Sequence, residues 1–129
     1  MNGTDKFVFD TNVILVSLKG KQIPSDLNDR LGSGKWFVSV ITRIELFAFS
    51  GLTTEEETKI CLFLRRCRVI PLNKKVERKT ILLRRAKPKL RLPDAIIAAT
   101  AAAFNATLIT NDDDLLRLGV PGLKVVSIG

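Results

Sequence analysis

Short apolar runs alternate with longer segments whose apolar positions recur every three to four residues along this 129-residue chain. The runs KFVF (6–9), WFVSV (36–40), RVIPL (68–72), ATLIT (106–110) and LKVVSI (123–128) predict strands, being short and rich in β-branched or aromatic residues. Between them the helical period predicts helices at 11–18, 25–31, 41–50, 53–67, 74–86, 92–105 and 112–118. Their ends carry physical signals. Thr53 or Thr54, with Glu56 or Glu57 three residues on, can form a capping box. Pro93 stands where a first helical turn tolerates it. Pro71 cannot donate to a strand ladder, which predicts that the third strand lies at a sheet edge. Strand–helix alternation of this kind builds an α/β fold, a parallel sheet covered by helices on both faces. No repeat, linker or low-complexity stretch interrupts the pattern, so residues 1–129 read as one domain.

Composition then narrows the chemistry. At 46% hydrophobic residues the chain is globular, and it has no apolar run of 18 residues to span a membrane. MNGTDKFVF lacks the basic and apolar regions of a signal peptide, so the expected location is cytoplasmic. Cys61 and Cys67, six apart around a predicted helix, face different directions and are not expected to pair. The chain has no histidine, which excludes Ser-His-Asp and Cys-His nucleophile systems and histidine-held metals. With no tyrosine there is no phenol acid either. Catalysis, if present, runs on carboxylates, Lys, Arg, hydroxyls, Cys or a metal held by oxygen.

The net charge of +8 hides a sharper asymmetry. Between Lys59 and Arg91 lie 13 of the 21 basic residues and a single acid, Glu77, so that segment carries +12 and the remainder −4. Such a block is the electrostatic footprint expected for a polyanion, nucleic acid first among them, although a solvated face of snorkelling side chains has the same composition. The block runs straight into the globular pattern, which argues against a membrane-surface segment.

Four acids stand out by position. In FVFDTNVIL, Asp10 separates two apolar runs: it suits a helix N-cap, and equally the carboxyl end of a buried strand, where open α/β sheets hold ligands. Glu45 has Ile41, Ala48 and Phe49 as its helical neighbours, so the periodicity turns it toward the core, where a carboxylate is costly unless it is paired or holds a cation. Arg43, two positions away, points elsewhere. Asp94 sits among Ala95, Ile97 and Ala98 and also fits a first-turn helix acid. Asp112 follows the strand ATLIT as Asp10 follows FVF, with Asp113 and Asp114 beside it. All four fall at strand ends or first helical turns, positions that can converge on one edge of a doubly wound sheet. Clustered carboxylates repel one another, and an oxygen-only donor set suits Mg2+ or Mn2+.

FVFDTNVIL, VSVITRIEL and LPDAIIAATAAAFNATLITND, in that order and over nearly the whole chain, resemble the PIN-domain ribonucleases, most closely the VapC-type toxins of prokaryotic toxin–antitoxin pairs. The resemblance implies an α/β/α sandwich on a parallel five-stranded sheet, metal-dependent RNA cleavage, a cognate antitoxin and a homodimer. Carried over position by position, the family's acids fall on Asp10, Glu45, Asp94 and Asp112, and its supporting polar residues on Asn12 and Thr110. Asp113 and Leu115 depart from the family pattern, which leaves Asp114 as a rival to Asp112. The basic segment, with Lys74, Lys75, Arg84 and Arg85 foremost, is expected to hold the RNA backbone. The apolar segments 46–49 and 60–64 suit either an antitoxin surface or the core.

Two other classes compete with this reading. A phosphoacceptor receiver domain is an α/β fold of similar size, but RVIPLN puts no aspartate after the third strand and no lysine ends LKVVSI. A catalytically silent RNA-binding or scaffold protein on the same fold fits the sequence as an alternative to the enzyme.

Overall fold

The computed structural model describes residues 5–129; the first residues of the stretch read for a signal peptide lie outside them. In chain order the elements are β1 (Lys6–Phe9), α1 (Thr11–Leu18), α2 (Ser25–Ser33), β2 (Lys35–Ser39), α3 (Val40–Phe47), α4 (Thr54–Arg65), β3 (Cys67–Ile70), α5 (Lys74–Ala86), α6 (Leu92–Ala103), β4 (Thr107–Ile109), α7 (Asp113–Leu116) and β5 (Val125–Val126). The strands run in the order β3-β2-β1-β4-β5, and every neighbouring pair is parallel. β3 is an edge strand and Pro71 follows its last residue, as the missing N–H requires. β1 lies between β2 and β4, whereas a receiver-type sheet sets its first strand between the second and third. That rival is thereby excluded.

Strand alternation creates the layers. On β1, Phe7 and Phe9 point to one face and Val8 to the other; β2 divides Val38 from Phe37, and β4 divides Ile109 from Leu108. One face is covered by α1 to α4 through Val13, Ile14, Leu27, Leu31, Leu46 and Ile60. The other is covered by α5 and α6, with Val76, Leu83 and the alanine-rich face of α6 closing over the sheet. The result is a three-layer α/β/α sandwich. Phe9, Trp36 and Phe63 meet edge-on or tilted beneath α4, with ring centroids 5.1–5.5 Å apart. Gly34 carries no side chain because a Cβ there would collide with the Phe7 ring.

The capping box forms as the sequence predicts. Thr53 Oγ1 accepts from the Glu56 N–H at 3.1 Å, and Glu56 Oε1 accepts from the Thr53 N–H at 3.0 Å. Both cysteines are free. Among the described residues no helix is long and apolar enough to cross a membrane.

The largest departure concerns α3, which stops at Phe47 and not at 50. A turn at Ser50-Gly51, with Gly51 at φ 79°, takes the chain out of the helix. α3 buries Thr42 and Leu46, one turn apart, against the sheet. Ala48 and Phe49 are therefore exposed loop residues, and the predicted core-side stripe through Glu45 is instead the wall of a cleft.

Candidate active site

Parallel strands bring their carboxyl ends to one edge of the sheet, and the chain leaves that edge from β1, β2 and β4 in close succession. Asp10 follows β1, Glu45 stands one turn into α3 behind β2, and Asp112 follows β4. Asp94 stands in the first turn of α6. All four, with Asn12, line one open cleft of about 380 Å3. Asp114 is exposed and is not among the residues lining it.

Asp10 is only 5% exposed and stands both at the carboxyl end of β1 and at the N-cap of α1. Its Oδ1 accepts from the Thr11 N–H at 2.8 Å as the N-cap of α1, while Oδ2 accepts from the Thr110 hydroxyl at 2.7 Å. Thr110, fully buried, also accepts from the Asp112 N–H at 3.0 Å, so one hydroxyl joins two acids. Asp112 caps α7 through Oδ1, which accepts from the Asp114 and Leu115 N–H groups. Glu45 Oε1 accepts from the Thr11 hydroxyl at 2.6 Å, and that hydroxyl oxygen lies 3.2 Å from Thr42 Oγ1. Sequence reasoning does not reach Thr11 or Thr42. The only signal for Thr11 is its place after Asp10, and for Thr42 a hydroxyl on a buried helical face.

The electrostatics follow from this crowding. Burial, more than any neighbour, raises the Asp10 carboxyl above its ordinary value; the Thr110 and Thr11 hydrogen bonds oppose the shift, and the charges of Asp112 and Glu45 add to it. Asp94 is pushed up to about 6, by burial first and then by Asp10 and Asp112, against the pull of Arg91. Arg91 is the one basic side chain lining the cleft among the described residues. The sequence hides it within the basic block, three positions before Asp94.

The other predicted cations lie elsewhere. Lys74, Lys75 and Arg85 are exposed on α5 and are not part of the cleft wall. Arg84 Nη1 donates to the Pro88 and Leu90 carbonyls at 2.9 and 2.6 Å, tying down the loop that leads to Arg91 and Asp94. Its Nη1 is thus engaged with the backbone, while the residue as a whole is exposed. Within the segments 46–49 and 60–64, Leu46 and Ile60 are core, whereas Phe47, Phe49 and Leu62 face solvent.

Thr110→Val keeps the shape and removes the hydroxyl, which leaves the Asp10 carboxylate and the Asp112 N–H without their shared partner. The expected cost is about 1–3 kcal/mol of stability at neutral pH, read from chemical denaturation. An undiminished stability would mean that Thr110 does not hold the pair.

A parallel sheet in this strand order, sandwiched by helices and carrying acids from β1, α3, α6 and the β4 exit in one cleft, defines a class. Residues 7–121 match the PIN domain family, and the chain belongs to it. Compared with curated proteins, the chain matches none. Among solved structures it is similar to VapBC2 from Rickettsia felis bound to a DNA fragment from its promoter, with a TM-score of 0.82 and 23% identity over 96% of this chain and 99% of that one. A toxin–antitoxin complex from Klebsiella pneumoniae is 29% identical over 90% and 93% of the two chains, with a TM-score of 0.68. VapBC-1 from nontypeable Haemophilus influenzae gives 0.75 and 22% over 95% and 97%.

Proposed function

We propose that this PIN-domain chain is a ribonuclease of the VapC toxin type, dependent on Mg2+ or Mn2+, that hydrolyses phosphodiester bonds of RNA and is restrained by a cognate antitoxin. The observation that carries this reading is the meeting of four carboxylates in one cleft, close enough that Asp10, Asp112 and Glu45 all raise the proton affinity of Asp94. The donor set is all oxygen, which fits a hard divalent ion. Among the described residues no group of three or more acids already stands arranged to hold an ion. Asp10 and Asp94 would hold it directly, and Glu45 and Asp112 directly or through water. Each Asp10 oxygen accepts one hydrogen bond and keeps a further lone pair for that purpose.

Bound there, the ion would supply positive charge to the scissile phosphate and lower the pKa of the attacking water. The chain's own groups set the geometry. Thr110 and the Thr11 amide fix the Asp10 carboxylate, and the Thr11 hydroxyl fixes Glu45. Arg91 offers a phosphate the single positive charge on the cleft wall. Lys74, Lys75 and Arg85 on α5 would hold RNA backbone farther out. Homodimer formation and the antitoxin belong to the same reading: one solved structure similar in fold is a toxin–antitoxin complex and another belongs to the VapBC family of toxin–antitoxin systems, and Ile44, Phe47 and Leu62 leave apolar surface exposed here.

Purified protein should cleave single-stranded RNA with Mg2+ or Mn2+ and stop on addition of EDTA. Reversing Lys74, Lys75 and Arg85 to Glu should weaken binding and reduce its salt slope by about 0.7 for each phosphate no longer neutralised. Binding without turnover would instead support the silent RNA-binding reading. An unchanged slope would return α5 to an ordinary solvated face.

A further inference from the structure

We propose that Phe49 and Arg91 form a nucleotide subsite in the acidic cleft, in which the ring stacks an unpaired base of single-stranded RNA and the guanidinium grips an adjacent phosphate. The inference rests on the ribonuclease reading and gives it a substrate preference.

Phe49 is 53% exposed, lies in the loop beyond α3 and yet lines the same cleft as the four acids. The close ring pairs among the described residues join Phe9, Trp36, Phe63, Phe37 and Phe104, and none of them takes Phe49. An exposed aromatic face beside a phosphate-cleaving centre is a stacking surface for a base. Leu15 and Ala48 extend that wall as apolar surface, so the cleft has a charged part and an apolar part. Arg91 forms no salt bridge among the described residues, which leaves its donors available to a phosphate. A nucleotide has the matching pair of features, a flat apolar base and a charged phosphate. Bases inside a duplex are covered on both faces, so the arrangement selects single strands.

The test uses a short single-stranded RNA carrying 2-aminopurine, with Ca2+ in place of Mg2+ for binding and Mg2+ for turnover. With wild-type protein, binding should quench the 2-aminopurine fluorescence, and the same sequence in duplex form should give no quench. Phe49→Ala should abolish the quench and raise KM on the order of ten-fold with kcat little changed, while Phe49→Trp restores both. Arg91→Ala should raise KM and flatten the salt dependence while the quench persists at saturation. Because Phe49 is an exposed loop residue, its variants should melt as the wild type does. If Phe49→Ala keeps both quench and KM, the subsite does not exist, and Phe49 joins Ile44 and Phe47 in a protein-binding face. Failure of Trp to restore the signal, or an equal quench with duplex, also overturns it. Failure of the wild type to bind or cleave RNA at all overturns the ribonuclease reading itself, a result seen before any variant is made.

Discussion

Asp10→Asn should abolish RNA cleavage and leave the protein folded. Loss of a residue that merely orients a metal ligand typically costs about 10–100-fold, so loss of the most deeply buried acid should exceed about 100-fold. The fold should survive because Asn is as good an N-cap as Asp, so its side-chain oxygen can still accept from the Thr11 N–H. Thr110 can reorient toward the amide that replaces Oδ2. The variant also removes a charge that burial and the neighbouring acids make costly. Without divalent ions it should therefore melt at or above the wild-type temperature, and added Mg2+ should no longer raise that temperature. A large loss of stability would assign Asp10 to helix capping alone.

The second large effect is on pH and ions together. Asp94 holds its proton to about pH 6 in the fold, against 3.8 for an ordinary aspartate, and Asp10 moves in the same direction. Between those values the folded state binds more protons than the unfolded chain, so this contribution to stability falls as pH rises through the window. The ion-free protein should accordingly lose stability between about pH 4 and about pH 6 through Asp94, with Asp10 acting in the same direction, and Asp94→Asn should remove most of that slope. A divalent ion competes with the protons. At about pH 7.5 an ion at about 100 times its Kd adds about 2.7 kcal/mol, on the order of 10 °C in Tm for a chain of this size. At about pH 5, where about a tenth of Asp94 is ionised, about half of that gain should vanish, and cleavage should fall as pH drops through about 6. Calorimetry with EDTA or Mg2+ at the two pH values decides the matter; an ion effect of equal size at both would separate Asp94 from ion binding.

The fold is legible in the sequence because its signals are local. The apolar runs KFVF and ATLIT and the capping box at Thr53 act within a few residues, and each appears where the sequence predicts it; Pro71 marks the edge strand as expected, though β3 ends at Ile70, before the proline and not beyond it. The edges of elements are less legible. α3 ends three residues early because the Ser50-Gly51 turn outweighs a continuing apolar pattern, and that shift moves Phe49 from an expected core position to the cleft wall. Among the acids, strand-end position identifies Asp10 and Asp112 as neighbours of one edge. The same logic does not separate Asp112 from Asp114, because which of three consecutive aspartates turns into the cleft depends on where α7 starts. Arg84 has a further role that composition does not show: a charge count does not record that its Nη1 reaches the Pro88 and Leu90 carbonyls. Thr11 and Thr42 become legible only through hydrogen bonds spanning about thirty residues.

The hydrogen bond between Thr110 and Asp10 joins residues 100 apart in the chain. Pairings of such long range form late in folding, after the loop-closure entropy of the intervening chain has been overcome. Synthesis from the N-terminus imposes the same order, since Asp10 and Glu45 leave the ribosome well before Asp94 and Asp112. A nascent or truncated chain that ends before α6 thus holds half of the acids and lacks the hydroxyl that joins the central pair. The cell that makes this protein meets a finished cleft only once synthesis has passed Asp112.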